Sequence, residues 1–124
     1  MELKEYQERA MSTCMESCDN FAYMSYGLMG EVGEIMGKIA KFIRQEKTYI
    51  TDNTLMLSQN ELCIPKMTAE ESKALIAELG DCLWFVAGLA KSLGWELEDV
   101  AQMNLDKLAS RKVRNVIDGD GDNR

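Results

Sequence analysis

Two pairs of acidic residues repeat one local pattern and form the strongest chemical feature of this sequence. Glu31 and Glu34 lie in GLMGEVGE, Glu78 and Asp81 lie in ALIAELGD, and both pairs follow Leu-x-x-Glu-x-Gly-acid. A spacing of i, i+3 places both carboxylates of a pair on one helical face, about one turn apart. Four such groups on two facing helices would bind a hard divalent cation through oxygen.

The surroundings of the second pair favour burial. Apart from Glu78 and Asp81, the run from Ala74 to Ala90 has no charged residue, and a helix that is apolar nearly all round is typical of a buried helix. We therefore expect both carboxylates to be buried and to be protonated, paired with cations or bound to metal. The alternative is an ordinary solvated face, which would explain Glu31 and Glu34 alone but not the matched repeat.

A long helix must position the first pair, and helical spacing predicts it over about 23–46. Its predicted buried stripe consists of Leu28, Val32, Ile35, Ile39 and Ile43. Gly30, Gly33 and Gly37 lie opposite this stripe, although each interior glycine costs about 0.5–1 kcal/mol relative to alanine. We therefore expect another element to pack closely against the glycine face.

Local signals predict three further helices. The first covers 2–18 and ends at the break Asp19-Asn20. Thr68 and Glu71 form a capping box that begins the third helix, and Gly94 follows its predicted end near Leu93. Negative residues at the start of a helix interact favourably with its dipole, and they predict a fourth helix after Trp95.

The segment 47–67 interrupts the helical pattern and is predicted to be a long connection. Asp52-Asn53 suits the turn of a short hairpin between 48–50 and 55–57, a weak signal that also fits an irregular loop. Long loops in compact domains are often functional. This segment is therefore expected to edge a pocket or a subunit contact.

Composition predicts one all-α domain over 1–124, because proline is nearly absent, aromatic residues are few and helical periodicity is extensive. The net charge of −7 argues against a nucleic-acid or anionic-membrane partner. Neither a membrane span nor a signal peptide is predicted, so a cytoplasmic location is expected. The tail 112–124 is expected to be flexible; its alternating aspartates lack the glycine and downstream glutamate of a calcium loop.

Cysteine and histidine usage restricts the chemistry further. The four cysteines, Cys14, Cys18, Cys63 and Cys82, are interpreted as reduced structural thiols, with a four-thiolate zinc site as the alternative. The sequence contains no histidine. This absence removes the usual general base and the histidine-containing zinc and di-iron ligand sets.

A polar strip is predicted on the fourth helix. Asn104, Lys107 and Arg111 are spaced i, i+3, i+7, so one helical face carries an amide and two cations. Such a strip suits phosphate oxygens or the carboxylate cluster itself. An ordinary solvated face is the alternative.

Taken in order, these motifs resemble those of the MazG-like nucleotide pyrophosphohydrolases of the all-α NTP pyrophosphatase superfamily. The resemblance covers most of the chain: Tyr6-Gln7 on the first helix, the block GLMGEVGE, the block ELGD, and the strip on the fourth helix. No single motif is specific, but the ordered set is. The long segment 47–67 departs from the commonest pattern and leaves the base pocket undefined.

The resemblance implies a four-helix bundle-like MazG fold that forms a homodimer or homotetramer. It also implies Mg²⁺-dependent cleavage of a nucleoside triphosphate between the α and β phosphates, with Mn²⁺ as a substitute metal. Carried over by position, the metal-binding and catalytic carboxylates are Glu31, Glu34, Glu78 and Asp81. The phosphate-facing candidates are Lys38 or Lys41, Asn104, Lys107 and Arg111.

Two other classes of protein remain open at this point. A ferritin-like di-iron protein also uses carboxylates in a helix bundle, but its Glu-x-x-His motifs are impossible without histidine. A non-catalytic acidic helical interaction module, related to the family but silent, is the second alternative.

Overall fold

The chain is a helical domain with one small hairpin. The computed structural model describes residues 1–51, 53–57 and 67–119. Over these ranges the elements are α1 (Leu3–Met11), a 3-10 turn (Glu16–Cys18), α2 (Phe21–Arg44), β1 (Thr48–Thr51), β2 (Thr54–Leu57), α3 (Ala69–Ser92) and α4 (Leu97–Val113). The four predicted helices are thus present, and none in the described ranges is both long and apolar enough to cross a bilayer.

The first helix is shorter than predicted. It ends at Met11, and the predicted second half of 2–18 is a turn followed by the 3-10 segment. The hydroxyls of Ser12 and Thr13 donate to the carbonyls of Arg9 and Ala10. Such local bonds offer the backbone an alternative to the helical ladder. The backbone of Met15 is extended, and this residue separates the turn from the 3-10 segment.

The starts of the two long helices are set by side-chain caps. The Asn20 side chain accepts from the Tyr23 N–H at 2.9 Å, and α2 begins immediately after it. At α3, Thr68 and Glu71 form the predicted capping box. Gly94 adopts a positive φ of 78° after α3 ends, as expected for a helix stop. The predicted boundaries at these positions are confirmed to within about two residues.

Two glycines allow α2 and α3 to pack closely along antiparallel directions. A Cβ on Gly27 would lie 2.0 Å from Cε1 of Phe85, and a Cβ on Gly88 would lie 2.3 Å from Sδ of Met24. Met24 is fully buried and Phe85 is nearly so. Each glycine therefore provides the space that a large side chain of the facing helix occupies.

This packing predicts opposite effects for two Gly→Ala substitutions on the same helix. Gly27→Ala should destabilise the fold by about 1–3 kcal/mol through overpacking against Phe85, which exceeds the gain in helix propensity. In the single chain, Gly30→Ala should stabilise it by about 0.5–1 kcal/mol, because among the described residues no atom outside the helix's own backbone lies within 4 Å of the added methyl group. Urea unfolding of dilute protein measures both, and shifts of the same sign would contradict the assigned packing.

The side chain of Gln7 joins α1 to the turn between α3 and α4. Its Nε2 donates to the carbonyls of Ala87 at 3.0 Å and Trp95 at 3.2 Å, and its Oε1 accepts from the Leu97 N–H at 2.8 Å. Gln7 is only 8% exposed. Because buried polar groups need partners, this amide both fixes α1 and satisfies an N–H at the start of α4.

The predicted buried stripe of α2 is only partly correct. Ile35 is buried, but Val32 and Ile43 are 47% and 42% exposed. The residues that complete the buried face are Met24 and Phe42. The buried face is therefore rotated toward the flank that also carries Glu31, so the other half of the predicted stripe faces out of the chain.

The outer surfaces of α2 and α3 are apolar and uncovered within the described chain. Apart from the helix's own backbone, no described atom lies within 4 Å of a Cβ placed on Gly30, Gly33 or Gly37, so the expected close packing against this face is not formed by the described residues. The first half of α3 likewise exposes Ile76 and Leu79 at 62% and 52%. The prediction that this whole helix is buried is thus wrong for a single chain.

The hairpin follows α2 directly and confirms the weak sequence signal. β1 pairs antiparallel with β2, with Thr48 opposite Leu57, and Asn53 adopts a φ of 61° in the turn. At its base, Lys47 forms an ion pair with Glu71, and this hydrogen bond lowers the pKa of the Glu71 carboxyl. Asp52, Cys63 and the end of the calcium-like tail, 120–124, lie outside the described residues.

Candidate metal centre

The antiparallel packing of α2 and α3 brings the two acidic motifs face to face. Glu31, Glu78 and Asp81 each offer one carboxylate oxygen, and these oxygens all lie within 4.8 Å of one another. Glu31 and Glu78 are half-buried, whereas Asp81 is exposed, so the predicted burial of the second pair holds only in part. We call these three residues the carboxylate cluster.

Glu34, the fourth predicted ligand, lies beside the cluster. It is exposed, and it is not among the three residues whose oxygens converge. Its negative charge nevertheless acts on Glu31 more strongly than the charge of either α3 carboxylate. Glu34 therefore borders the cluster on the α2 side.

The pKa of the Glu31 carboxyl indicates an excess of negative charge around it. Partial burial raises the pKa of its carboxyl above the ordinary value, and three nearby carboxylates raise it further. In order of effect these belong to Glu34, Asp81 and Glu78, and Glu31 also shares a hydrogen bond with Glu78. Carboxylates this close to one another repel when they are ionised, and a bound cation would relieve that repulsion.

Lys38, on α2, contacts the carboxylate cluster. Lys38 Nζ lies 3.1 Å from Glu78 Oε1, and the two side chains are 34% and 13% exposed. Lys41 is exposed, and its charge acts on Glu71, nearer the hairpin. Of the two lysines that the sequence leaves open, the structure thus places Lys38 at the carboxylates.

The predicted strip on α4 is divided between two environments. Asn104 and Lys107 line a groove of about 390 Å³, which also contains Trp95 and Met103. Arg111 is instead buried, at 6% exposure. The three side chains therefore do not form one exposed face, and the groove is built from α4 and the turn before it.

Two residues near the cluster were not predicted as part of the site. Partial burial and the charge of Asp81 raise the pKa of the Tyr6 hydroxyl. Burial, followed by the charge of Glu31, raises the pKa of the Cys82 thiol. Cys82 follows Glu78 by four residues, so helical spacing already places it on the same face. The position of Tyr6 depends on how α1 packs, which no local pattern reveals.

The donor set suits a hard divalent cation. All donors in the cluster are carboxylate oxygens, which Mg²⁺ and Mn²⁺ prefer, and no histidine is needed. The three converging carboxylates carry more negative charge than the Lys38 ammonium alone neutralises. The thiol of Cys82 is present as a free cysteine, like Cys14 and Cys18.

Comparison with known proteins identifies the family of this chain. Residues 20–115 match the MazG nucleotide pyrophosphohydrolase domain. The chain is also similar to the Gene 37 protein of Mycobacterium phage L5, with 41% identity over 109 residues that cover 88% of this chain and 81% of that protein. No solved structure matches the chain. The matched range includes every residue of the carboxylate cluster, and the chain belongs to the MazG nucleotide pyrophosphohydrolase domain family.

Proposed function

We propose that the protein is a Mg²⁺-dependent nucleoside triphosphate pyrophosphohydrolase, active on ribo- or deoxynucleoside triphosphates, with Mn²⁺ as a substitute metal. Water would attack the α phosphorus, the bond from that phosphorus to the bridging oxygen would break, and a nucleoside monophosphate and pyrophosphate would form. The observation that carries the proposal is the convergence of Glu31, Glu78 and Asp81 across α2 and α3 in a chain of the MazG family.

The carboxylate cluster would hold the metal. A bound divalent ion supplies charge neutralisation for the triphosphate and stabilisation of the leaving pyrophosphate. Glu34 is exposed beside the cluster, and we assign it the acceptance of a proton from the attacking water. A carboxylate that is not occupied as a ligand is the suitable base in a site without histidine.

Phosphate binding is assigned to cations and an amide. Lys38 forms an ion pair with Glu78 of the cluster, and Lys41 is a more distant candidate. Asn104 and Lys107 would act from the groove on α4, and the buried position of Arg111 suits support of that helix more than direct contact. We expect no nucleic-acid or membrane partner for a chain with a net charge of −7, and we expect a cytoplasmic location.

We further propose that the protein works as a homodimer or homotetramer. The outer face of α2 presents Tyr26, Met29 and Met36 at 76%, 76% and 55% exposure. Contiguous exposed apolar surface of this kind marks an interaction site, and the glycines on the same face permit close approach of another helix. A second copy is the best-suited partner, because Tyr26, Met29 and Met36 are uncharged and such a surface on an acidic chain can pack against itself without like-charge repulsion.

Pyrophosphate release from a panel of ribo- and deoxynucleoside triphosphates tests the activity. With Mg²⁺ or Mn²⁺ we expect equal amounts of monophosphate and pyrophosphate, and with a chelator we expect neither. Release of orthophosphate would contradict the assigned bond, because it reports cleavage between the β and γ phosphates. Absence of turnover with every nucleotide would instead favour a non-catalytic binding module.

A further inference from the structure

Lys38 occupies a position that the proposed function does not fully explain. Its ammonium contacts Glu78 Oε1 at 3.1 Å, and Glu78 is the less exposed partner, with 13% of its side chain accessible. Glu78 also belongs to the cluster whose oxygens converge within 4.8 Å. The same carboxylate is therefore bound by a lysine and suited to bind a metal.

The geometry of α2 makes this contact specific to one lysine. Lys38 follows Glu31 by seven residues, which corresponds to about two helical turns on one flank. Its flexible stem reaches across to α3, where its charge meets the cluster. Lys41 lies on the same flank one turn further on, and its charge acts on Glu71. A comparison between the two lysines therefore separates a local effect from a general change in charge.

A divalent ion at the cluster would compete with this lysine. An ion bound by Glu31, Glu78 and Asp81 would lie only a few ångströms from the Lys38 ammonium, and two cations at that distance repel each other. In the absence of metal, the same ammonium reduces the mutual repulsion of the carboxylates. Lysine is suited to such exchange, because its ammonium is a compact point charge on a flexible stem.

We propose that Lys38 is an internal counter-ion: it pairs with Glu78 in the metal-free protein and must release Glu78 when the divalent ion binds. This proposal rests on the assignment of the cluster as the metal site. Lys38 is thus a positioning residue that weakens metal binding while nucleotide is absent.

Mn²⁺ binding without nucleotide tests the proposal independently of activity. The signal of free Mn²⁺ in electron paramagnetic resonance would give the dissociation constant for the full chain and for three variants. Lys38→Gln removes the competing charge, and we expect Mn²⁺ to bind about fivefold more tightly, the effect of a partly exposed ion pair. Lys38→Arg keeps the charge and should remain close to the unmodified protein.

Lys41→Gln is the matched control, since it removes the same charge from the same flank. Its dissociation constant should stay within about twofold of the unmodified protein, because exposed charges at a distance are screened by salt. If the Mn²⁺ dissociation constant fell equally in the two glutamine variants, the proposal would be overturned, because the effect would then be a general one of charge. Unchanged or weaker binding by Lys38→Gln would also overturn it. Failure of the unmodified protein to bind Mn²⁺ would overturn the metal centre itself, and this inference with it.

Discussion

Asp81→Asn is expected to lower metal-dependent pyrophosphate release by at least about 100-fold, because a metal supplies several kcal/mol of transition-state stabilisation and each 1.36 kcal/mol is a factor of ten. Asp81 provides one of the three converging oxygens. Asparagine keeps the size of the side chain and one oxygen, but it removes the negative charge that attracts the ion. The loss should therefore arise from metal binding and not from a change in shape.

Measurements of turnover and of Mn²⁺ affinity, made on the same preparation, would connect the two effects. Asp106→Asn is the matched control, since Asp106 is exposed on α4 and accepts a hydrogen bond from Gln102 at 2.8 Å. This control should retain both activity and metal affinity. In the absence of metal, Asp81→Asn should unfold at the same denaturant concentration as the unmodified protein or at a higher one, because the substitution reduces the repulsion among the carboxylates. Activity of Asp81→Asn within threefold of the control would exclude Asp81 as a ligand.

The boundaries of the long helices could be predicted because their signals are local. A capping box at Thr68 and Glu71, a break before Phe21 and a glycine at 94 each act within one turn of the chain. The convergence of the two acidic motifs was predictable for a related reason. The matched pattern places each pair on the same side of its own helix, so antiparallel packing brings Glu31 and Asp81 together.

The remaining features depend on contacts between residues that are distant in sequence. Gln7 is fixed by three backbone groups of Ala87, Trp95 and Leu97, and nothing near Gln7 in the chain indicates this. The choice between Lys38 and Lys41 depends on which one reaches α3. Periodicity alone also cannot divide the apolar surface of α2 between contacts within the chain and contacts with another molecule.

Met29→Glu is expected to convert the proposed oligomer into monomers, and it tests the assignment of the outer face of α2. Met29 is 76% exposed in the single chain, so the substitution should change the stability of a monomer by no more than about 0.5 kcal/mol. Methionine and glutamate also have similar helix propensities. A large effect on association would therefore come from the interface.

The size of that effect follows from symmetry. In a two-fold dimer each substitution occurs twice, and burial of one methionine contributes about 1.5–3 kcal/mol, so the dimer dissociation constant should rise by about 10²–10⁴-fold. Sedimentation at micromolar concentrations would then report a single chain for Met29→Glu and a larger mass for the unmodified protein. Met15→Glu, at a position 68% exposed before the 3-10 turn, is the matched control and should keep the larger mass. If the variant retains the unmodified mass, then the outer face of α2 is not the contact, and the exposed Ile76 and Leu79 on α3 become the surface to alter next.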